Sequence, residues 1–167
     1  EPHQVHAVAC DMAPLIEGVE FPQASPLVLA AERTFWEKAT AAHVYCRQGR
    51  LRGERYARHW YDLAALTRST HYGAAVDDHA LALQVAQHKT MFFAEKDAAG
   101  NWIDYTQAVS GGLQLIPTGE SLIALERDYA AMLDDGLLSS GQPRFAELME
   151  KCRTIEDRVH TARRVAP

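Results

Sequence analysis

Two short stretches of the chain concentrate groups able to handle a charged ligand: Arg33-Thr34-Phe35-Trp36-Glu37-Lys38 and Arg58-His59-Trp60-Tyr61-Asp62-Leu63. Each places charged groups and large aromatics within two helical turns. On a helix Arg58 and Asp62 stand four apart and share a face, and Lys38 lies on the same side as Thr34. Two neighbouring helices of this kind would bring a lysine, an arginine and a carboxylate to one place. Lysine supplies a compact charge and arginine a planar fork for bidentate contact, a combination suited to a polyanion such as a nucleoside triphosphate. The carboxylate can hold the arginine, or contact a metal or a ribose hydroxyl. The same spacing also makes an ordinary surface ion pair worth roughly 0.3–0.5 kcal/mol, and spacing alone leaves both readings open.

Other constellations carry less. The eight histidines include His3 and His6 in a proline-flanked stretch, His79 and His88 nine apart, and His59 without a partner at i+4. Neither HExxH nor CxxC spacing occurs, so a metal-dependent hydrolase built on these histidines is the least supported class. Asp134-Asp135-Gly136 reads as a helix end and turn. Gly111-Gly112 lacks the strand-to-helix context of a phosphate loop. Cys10, Cys46 and Cys152 are odd in number and form no pair motif, which suits free thiols in a reducing cytoplasm.

The elements that must position these groups are mostly helical. Residues 1–30 hold Pro2, Pro14, Pro22 and Pro26, which disfavour helix. Val5-His6-Ala7-Val8-Ala9-Cys10 alternates with period two, and Leu27-Val28-Leu29 is a second candidate strand. A Gly- and Pro-free run predicts a helix over 31–46, with Thr34 and Glu37 spaced as a capping box. Loop follows to Glu54, then a helix over 55–68 with Tyr56, Trp60, Leu63 and Ala64 on its apolar face. A third helix is expected over 77–93, capped by Asp77 or Asp78 and aligning Leu81, Val85, His88 and Phe92. Residues 94–118 are the least regular. Helices over 119–133 (Leu122, Leu125, Tyr129, Met132) and 143–164 (Phe145, Leu148, Met149, Cys152, Ile155, Val159) complete the chain. The expectation is a mainly α fold: an extended lead-in over 1–30 and a helical domain over 31–167.

At 167 residues, 47% hydrophobic and 23% charged, the chain has the length and composition of one soluble domain. The net charge of -5 argues against a surface that coats nucleic acid without excluding a local basic pocket. No apolar run approaches the ~20 residues of a membrane span, and Glu1-Pro2-His3 begins without the basic and apolar segments of a signal peptide. The first residue is not Met, so a piece of a longer protein is expected, with a cytoplasmic location and no membrane partner.

The two clusters, with His43 after the first, resemble the C-terminal half of the AbiEii/AbiGii family of nucleotidyltransferase toxins. His88-Lys89 with Phe92-Phe93, Leu115-Ile116-Pro117, and Asp128-Tyr129 with Met132 follow in the order of that family, over roughly residues 20–160. The resemblance implies a DNA polymerase β-like nucleotidyltransferase core followed by a helical domain. It implies transfer of a nucleotide, or a group derived from one, from a triphosphate with Mg2+ to an acceptor, RNA among the candidates, and pairing with an antitoxin. The family's third-motif lysine falls on Lys38 and its fourth-motif arginine and aspartate on Arg58 and Asp62. Lys38 and Asp62 are then the expected catalytic residues, and Lys38, Arg58, Asp62 and Arg33 the nucleotide-binding set.

The family's upstream motifs, a glycine turn and paired metal-binding carboxylates, find no match in residues 1–30, where Asp11 and Glu17 stand alone. The expectation is therefore the C-terminal part of such a toxin, inert by itself, with no metal or cofactor of its own. The alternative is a non-enzymatic helical interaction module that uses Trp102, Ile103 and Tyr105 to contact a protein partner.

Overall fold

The Gly- and Pro-free run beginning at Ala31 forms α1 (Ala31–Gln48), which stops where Gly49, at φ 65°, turns its N–H back to the Tyr45 carbonyl (3.1 Å). In this computed structural model, which describes residues 3–5, 9–50, 53–138 and 142–165, six further helices follow: α2 (Arg58–Leu66), α3 (His71–Asp77), α4 (His79–Phe92), the single turn α5 (Tyr105–Gln107), α6 (Glu120–Asp134) and α7 (Phe145–Val165). A π-type turn, Ala108–Gly112, continues α5. The fold is mainly α. The described strands are β1 (His3–Val5) and β2 (Leu27–Leu29), antiparallel with His3 opposite Leu29.

Three local expectations need correction. The first strand is His3–Val5, not 5–10; residues 6–8 lie outside the described residues, and Ala9 and Cys10 are not in a strand. Its partner β2 is three residues long, which limits the pairing. The helix expected over 77–93 does form, as α4, with Asp78 (φ -80°, ψ 83°) as its N-cap, the carboxylate accepting the Leu81 N–H (2.9 Å); the short α3 before it was not expected. The Thr34–Glu37 capping box does not form: Thr34 Oγ1 donates back to the Ala30 carbonyl (3.0 Å) from inside the helix. Helix α2 begins at Arg58 rather than 55, because Arg55 takes a left-handed φ of 64° just before it.

Burial of apolar surface around two indoles holds the helices together. From α1, Phe35, Trp36, Ala39 and Ala42 enter the core, and from α2, Trp60 and Leu63. Val85 and Ala86 of α4 meet them, with Leu148, Cys152, Ile155 and Val159 of α7. Both indole N–H groups are satisfied inside: Trp36 donates to the Ala75 carbonyl (2.8 Å) and Trp60 to that of Leu115 (2.5 Å). Helix α7 lies against α2, α3 and the Ala108–Gly112 turn.

The irregular stretch is fixed by side chains of α7. Glu156 accepts the N–H groups of Leu115 and Ile116, and Arg163 donates to the carbonyls of Val109 (3.1 Å) and Val76 (2.9 Å). Gly111 sits at φ 112° against Arg163, a backbone state that L side chains rarely adopt. Ile103 and Tyr105 are core residues, 8% and 2% exposed, so of the three proposed contact residues only Trp102 faces solvent.

His43, buried on α1, ties in the same stretch by accepting the Gln114 N–H on Nδ1 (3.0 Å), so its own proton sits on Nε2. Burial, then the charge of Arg47, lowers its pKa to about 4. The unfolded chain takes up this proton once pH falls below ~6.5, and the folded protein does not until about 4. Stability from the neutral ring is therefore complete above ~6.5 and is lost as pH falls towards 4. Urea unfolding at pH 7 and 4.5 is expected to show a loss on the order of 3 kcal/mol from this residue, and His43→Gln to show a correspondingly smaller loss. Trp60→Ala is expected to lower unfolding free energy by about 3–5 kcal/mol in the same assay.

Candidate functional site

Helices α1 and α2 pack side by side with their indoles inward, and the residue two positions after each indole turns outward. On α1 that residue is Lys38, on α2 Asp62, and they meet: Lys38 Nζ lies 2.6 Å from Asp62 Oδ2, both partly exposed. They border an open groove of about 410 Å³ whose other lining residues are Thr34, Ala65, Leu66 and Ser69. One ammonium proton serves Asp62, leaving two for a ligand.

Asp62 does not form the i,i+4 pair with Arg58 suggested by spacing; it reaches across to α1. Arg58 stands exposed in the first turn of α2, with no carboxylate partner among the described residues. His59, next to Arg58 on α2, has its pKa pushed down to about 4 by burial first, then by Lys38 and Arg58, with a smaller contribution from Lys89 against the opposing pull of Asp62. Lys38, Arg58 and Lys89 all disfavour a proton on this imidazole, and its buried Nδ1 finds no partner among the described residues.

A second charged cluster adjoins this one. Glu37 Oε2 pairs with Lys89 Nζ at 2.5 Å, and Glu37 Oε1 with Arg33 Nη2 at 3.3 Å. Arg33 is 4% exposed and is not among the groove's lining residues. The structure therefore brings Lys38 and Asp62 into contact, sets Arg58 near them, and turns Arg33 towards Glu37.

Two contributors were not assigned a role from spacing. Lys89 is one. Asp128 of α6 is the other: its Oδ1 accepts the Arg55 N–H (2.6 Å) and its Oδ2 the Ala57 N–H (2.7 Å), fixing the entry to α2 and with it the start of Arg58's helix. A partner more than seventy residues away leaves no local signal; the only hint was the Asp128-Tyr129 pair in the resemblance.

Among the described residues, no three His, Cys, Asp or Glu side chains gather into a metal-holding group, and Asp62 is already engaged by Lys38. This donor set does not fit a divalent ion. The half-buried Cys46 and buried Cys152 are not thiolates; burial, then the charge of Glu156, raises both, Cys152 to about 12. Among the described residues, no helix is long and apolar enough to cross a membrane.

The family model described as "Nucleotidyl transferase AbiEii toxin, Type IV TA system" matches residues 1–151 of the chain. No curated protein and no solved structure matches it. Whatever ligand the groove takes, its frame depends on the Asp128 carboxylate. Asp128→Ala is expected to cost about 1.5–3 kcal/mol of stability, read as a lower urea midpoint, because two N–H groups lose a charged acceptor.

Proposed function

The chain belongs to the AbiEii family of nucleotidyl transferase toxins of type IV toxin–antitoxin systems, and from that membership we propose that its Lys38–Asp62 groove is the cationic side of a nucleoside-triphosphate site. The observation that carries this reading is the contact itself: a lysine held by an aspartate at the mouth of an open groove, with two protons left over. Lys38 takes a phosphate oxygen, and Asp62 keeps the ammonium in place. Arg58, exposed and without a carboxylate partner among the described residues, swings to a second phosphate as a bidentate fork. Arg33 acts from behind, holding Glu37, which in turn holds Lys89.

In the nucleotidyl transferase reaction this chain's residues bind and orient the triphosphate; with no fitting metal-donor group among the described residues, no transfer step is assigned to them. Residues 1–30 are read as the edge of a polymerase β-like core and 31–167 as the helical domain. The partners on this reading are a nucleotide, an RNA acceptor and the antitoxin. A second reading, a helical module docking on a protein, draws on the exposed row Met91, Phe92 and Phe93 at the end of α4.

Binding of a nucleoside triphosphate to the chain, followed by calorimetry, is expected to weaken about tenfold or more in Lys38→Ala and in Arg58→Ala, in line with the loss of one charged hydrogen bond. In the toxin expressed from its whole reading frame, Lys38→Ala and Asp62→Ala are expected to abolish growth arrest while the protein remains folded. Unchanged affinity in Lys38→Ala, or growth arrest retained in either variant, overturns the assignment.

A further inference from the structure

The π-type turn after α5 holds a hydroxyl against an imidazole. Ser110 Oγ lies 3.3 Å from His79 Nε2, the first residue of α4, and neither residue lines the groove at Lys38. Ser110 leaves the helical path at φ -96°, ψ 20°, and Gly111 after it takes a left-handed φ of 112°. The Ser110 side of this turn is exposed, and His79 is partly so. Turns of the π type are rare in proteins and frequently sit at functional sites.

The frame around the pair is fixed from α7. Arg163 donates from Nε to the Val109 carbonyl (3.1 Å) and from Nη2 to the Val76 carbonyl (2.9 Å), which ties the turn to the end of α3 just ahead of His79. Desolvation, then the charge of Arg163, lowers the His79 pKa, so the ring is neutral at physiological pH. In the tautomer with its proton on Nδ1, Nε2 accepts the Ser110 proton. A serine hydroxyl is a weak nucleophile alone and is activated by a base held within reach in this way. The charges nearby are balanced. Arg158 pairs with Asp77 (2.9 Å), and Arg163 feels the opposite charges of Asp77 and Asp78.

We propose that Ser110 is a nucleophile served by His79 as general base, and that the pair cleaves small carboxylic esters. The class follows from the balanced charge: two arginines matched by two aspartates leave no surplus for a phosphate, whereas a neutral ester meets no repulsion. Ser110 Oγ attacks the carbonyl carbon while its proton passes to His79 Nε2. The bond from that carbon to the alcohol oxygen then breaks, and the proton leaves with the alcohol. Water attacks the acyl-serine, gives a proton to His79, and releases the carboxylic acid as that proton returns to Ser110 Oγ. An exposed hydroxyl is reached without a closed pocket, so reactivity rather than tight binding is the property expected. The activity goes beyond the nucleotide reading and requires neither Lys38 nor Asp62.

The test uses the whole chain at neutral pH with two probes: a fluorophosphonate, which loses fluoride on bonding to a base-activated serine, and p-nitrophenyl acetate. The unaltered chain is expected to take one fluorophosphonate adduct, mapped to Ser110 by peptide mass spectrometry, and to release p-nitrophenol above the buffer rate. In Ser110→Ala the adduct is expected to vanish, and in His79→Gln, which keeps a polar side chain but no base, both rates are expected to fall about hundredfold. Lys38→Ala is expected to leave both rates unchanged. Circular dichroism identifies a variant that fails to fold, and labelling of the unaltered chain depends on no variant. Absence of an adduct on Ser110 in the unaltered chain overturns the proposal. So does undiminished labelling in a folded His79→Gln, ester cleavage that survives Ser110→Ala, or loss of both rates in a folded Lys38→Ala.

Discussion

Burial of two indoles fixes the rotation of the two helices that carry the charged groups. Trp36 and Trp60 are both fully buried, and each spends its N–H on a distant carbonyl. A residue two positions further along a helix lies about 200° round the axis. Locking the indole inward therefore directs the side chain at that position outward, and in both helices it is one of the pair that meets, Lys38 or Asp62. Their contact at the rim follows from the packing of α1 on α2. The ion pair itself, about a quarter to a third exposed, contributes little to stability. The hydrophobic core supplies the precision, and the charges occupy the positions it leaves at the surface.

Several carboxylates are engaged in holding backbone. Asp128 fixes the entry to α2, Glu156 holds the N–H groups of Leu115 and Ile116, Asp78 caps α4, and Asp97 accepts the N–H groups of Ala99 and Asn101 at 2.9 Å. Each carboxylate satisfies donors in a loop or at a helix start that secondary structure leaves unpaired. With these acids anchoring the frame, Arg58 can stand at the surface without a carboxylate neighbour among the described residues. Segments without regular structure are thereby as firmly placed as the helices, which is why the stretch around Leu115 can receive the Trp60 indole.

The sequence disclosed what repeats locally and concealed what depends on distant partners. The helical periodicity of Trp60, Leu63 and Ala64, and of Leu148, Cys152, Ile155 and Val159, identified buried faces directly, because a 3.6-residue repeat is a property of the element alone. Asp78 was legible as the cap of α4, while α3 before it was missed because seven residues are too few to show a helical repeat. Ile103 and Tyr105 were placed outside because a stretch with glycines looks like loop, although side chains of α7 draw its neighbourhood into the core. At the candidate site, the residue types of Lys38, Arg58 and Asp62 were legible, but the partner of Asp62 was not. An i,i+4 spacing states which pair can form; only the packing of α1 against α2 decides that the aspartate turns to lysine instead.

A chain of net charge -5 can still draw a polyanion if its cations are concentrated where its acids are already engaged. Lys38, Arg58 and Lys89 all act on His59, and burial keeps that imidazole neutral at physiological pH instead of adding a fourth charge. A protonated ring there would be repelled by all three cations. Lys38 and Lys89 are each restrained by a carboxylate, Asp62 and Glu37, which reduces repulsion between them. The groove itself is lined by one cation, Lys38, and the aspartate that holds it. The pull of such exposed cations on any anion is short-ranged, screened within roughly 8 Å at physiological ionic strength.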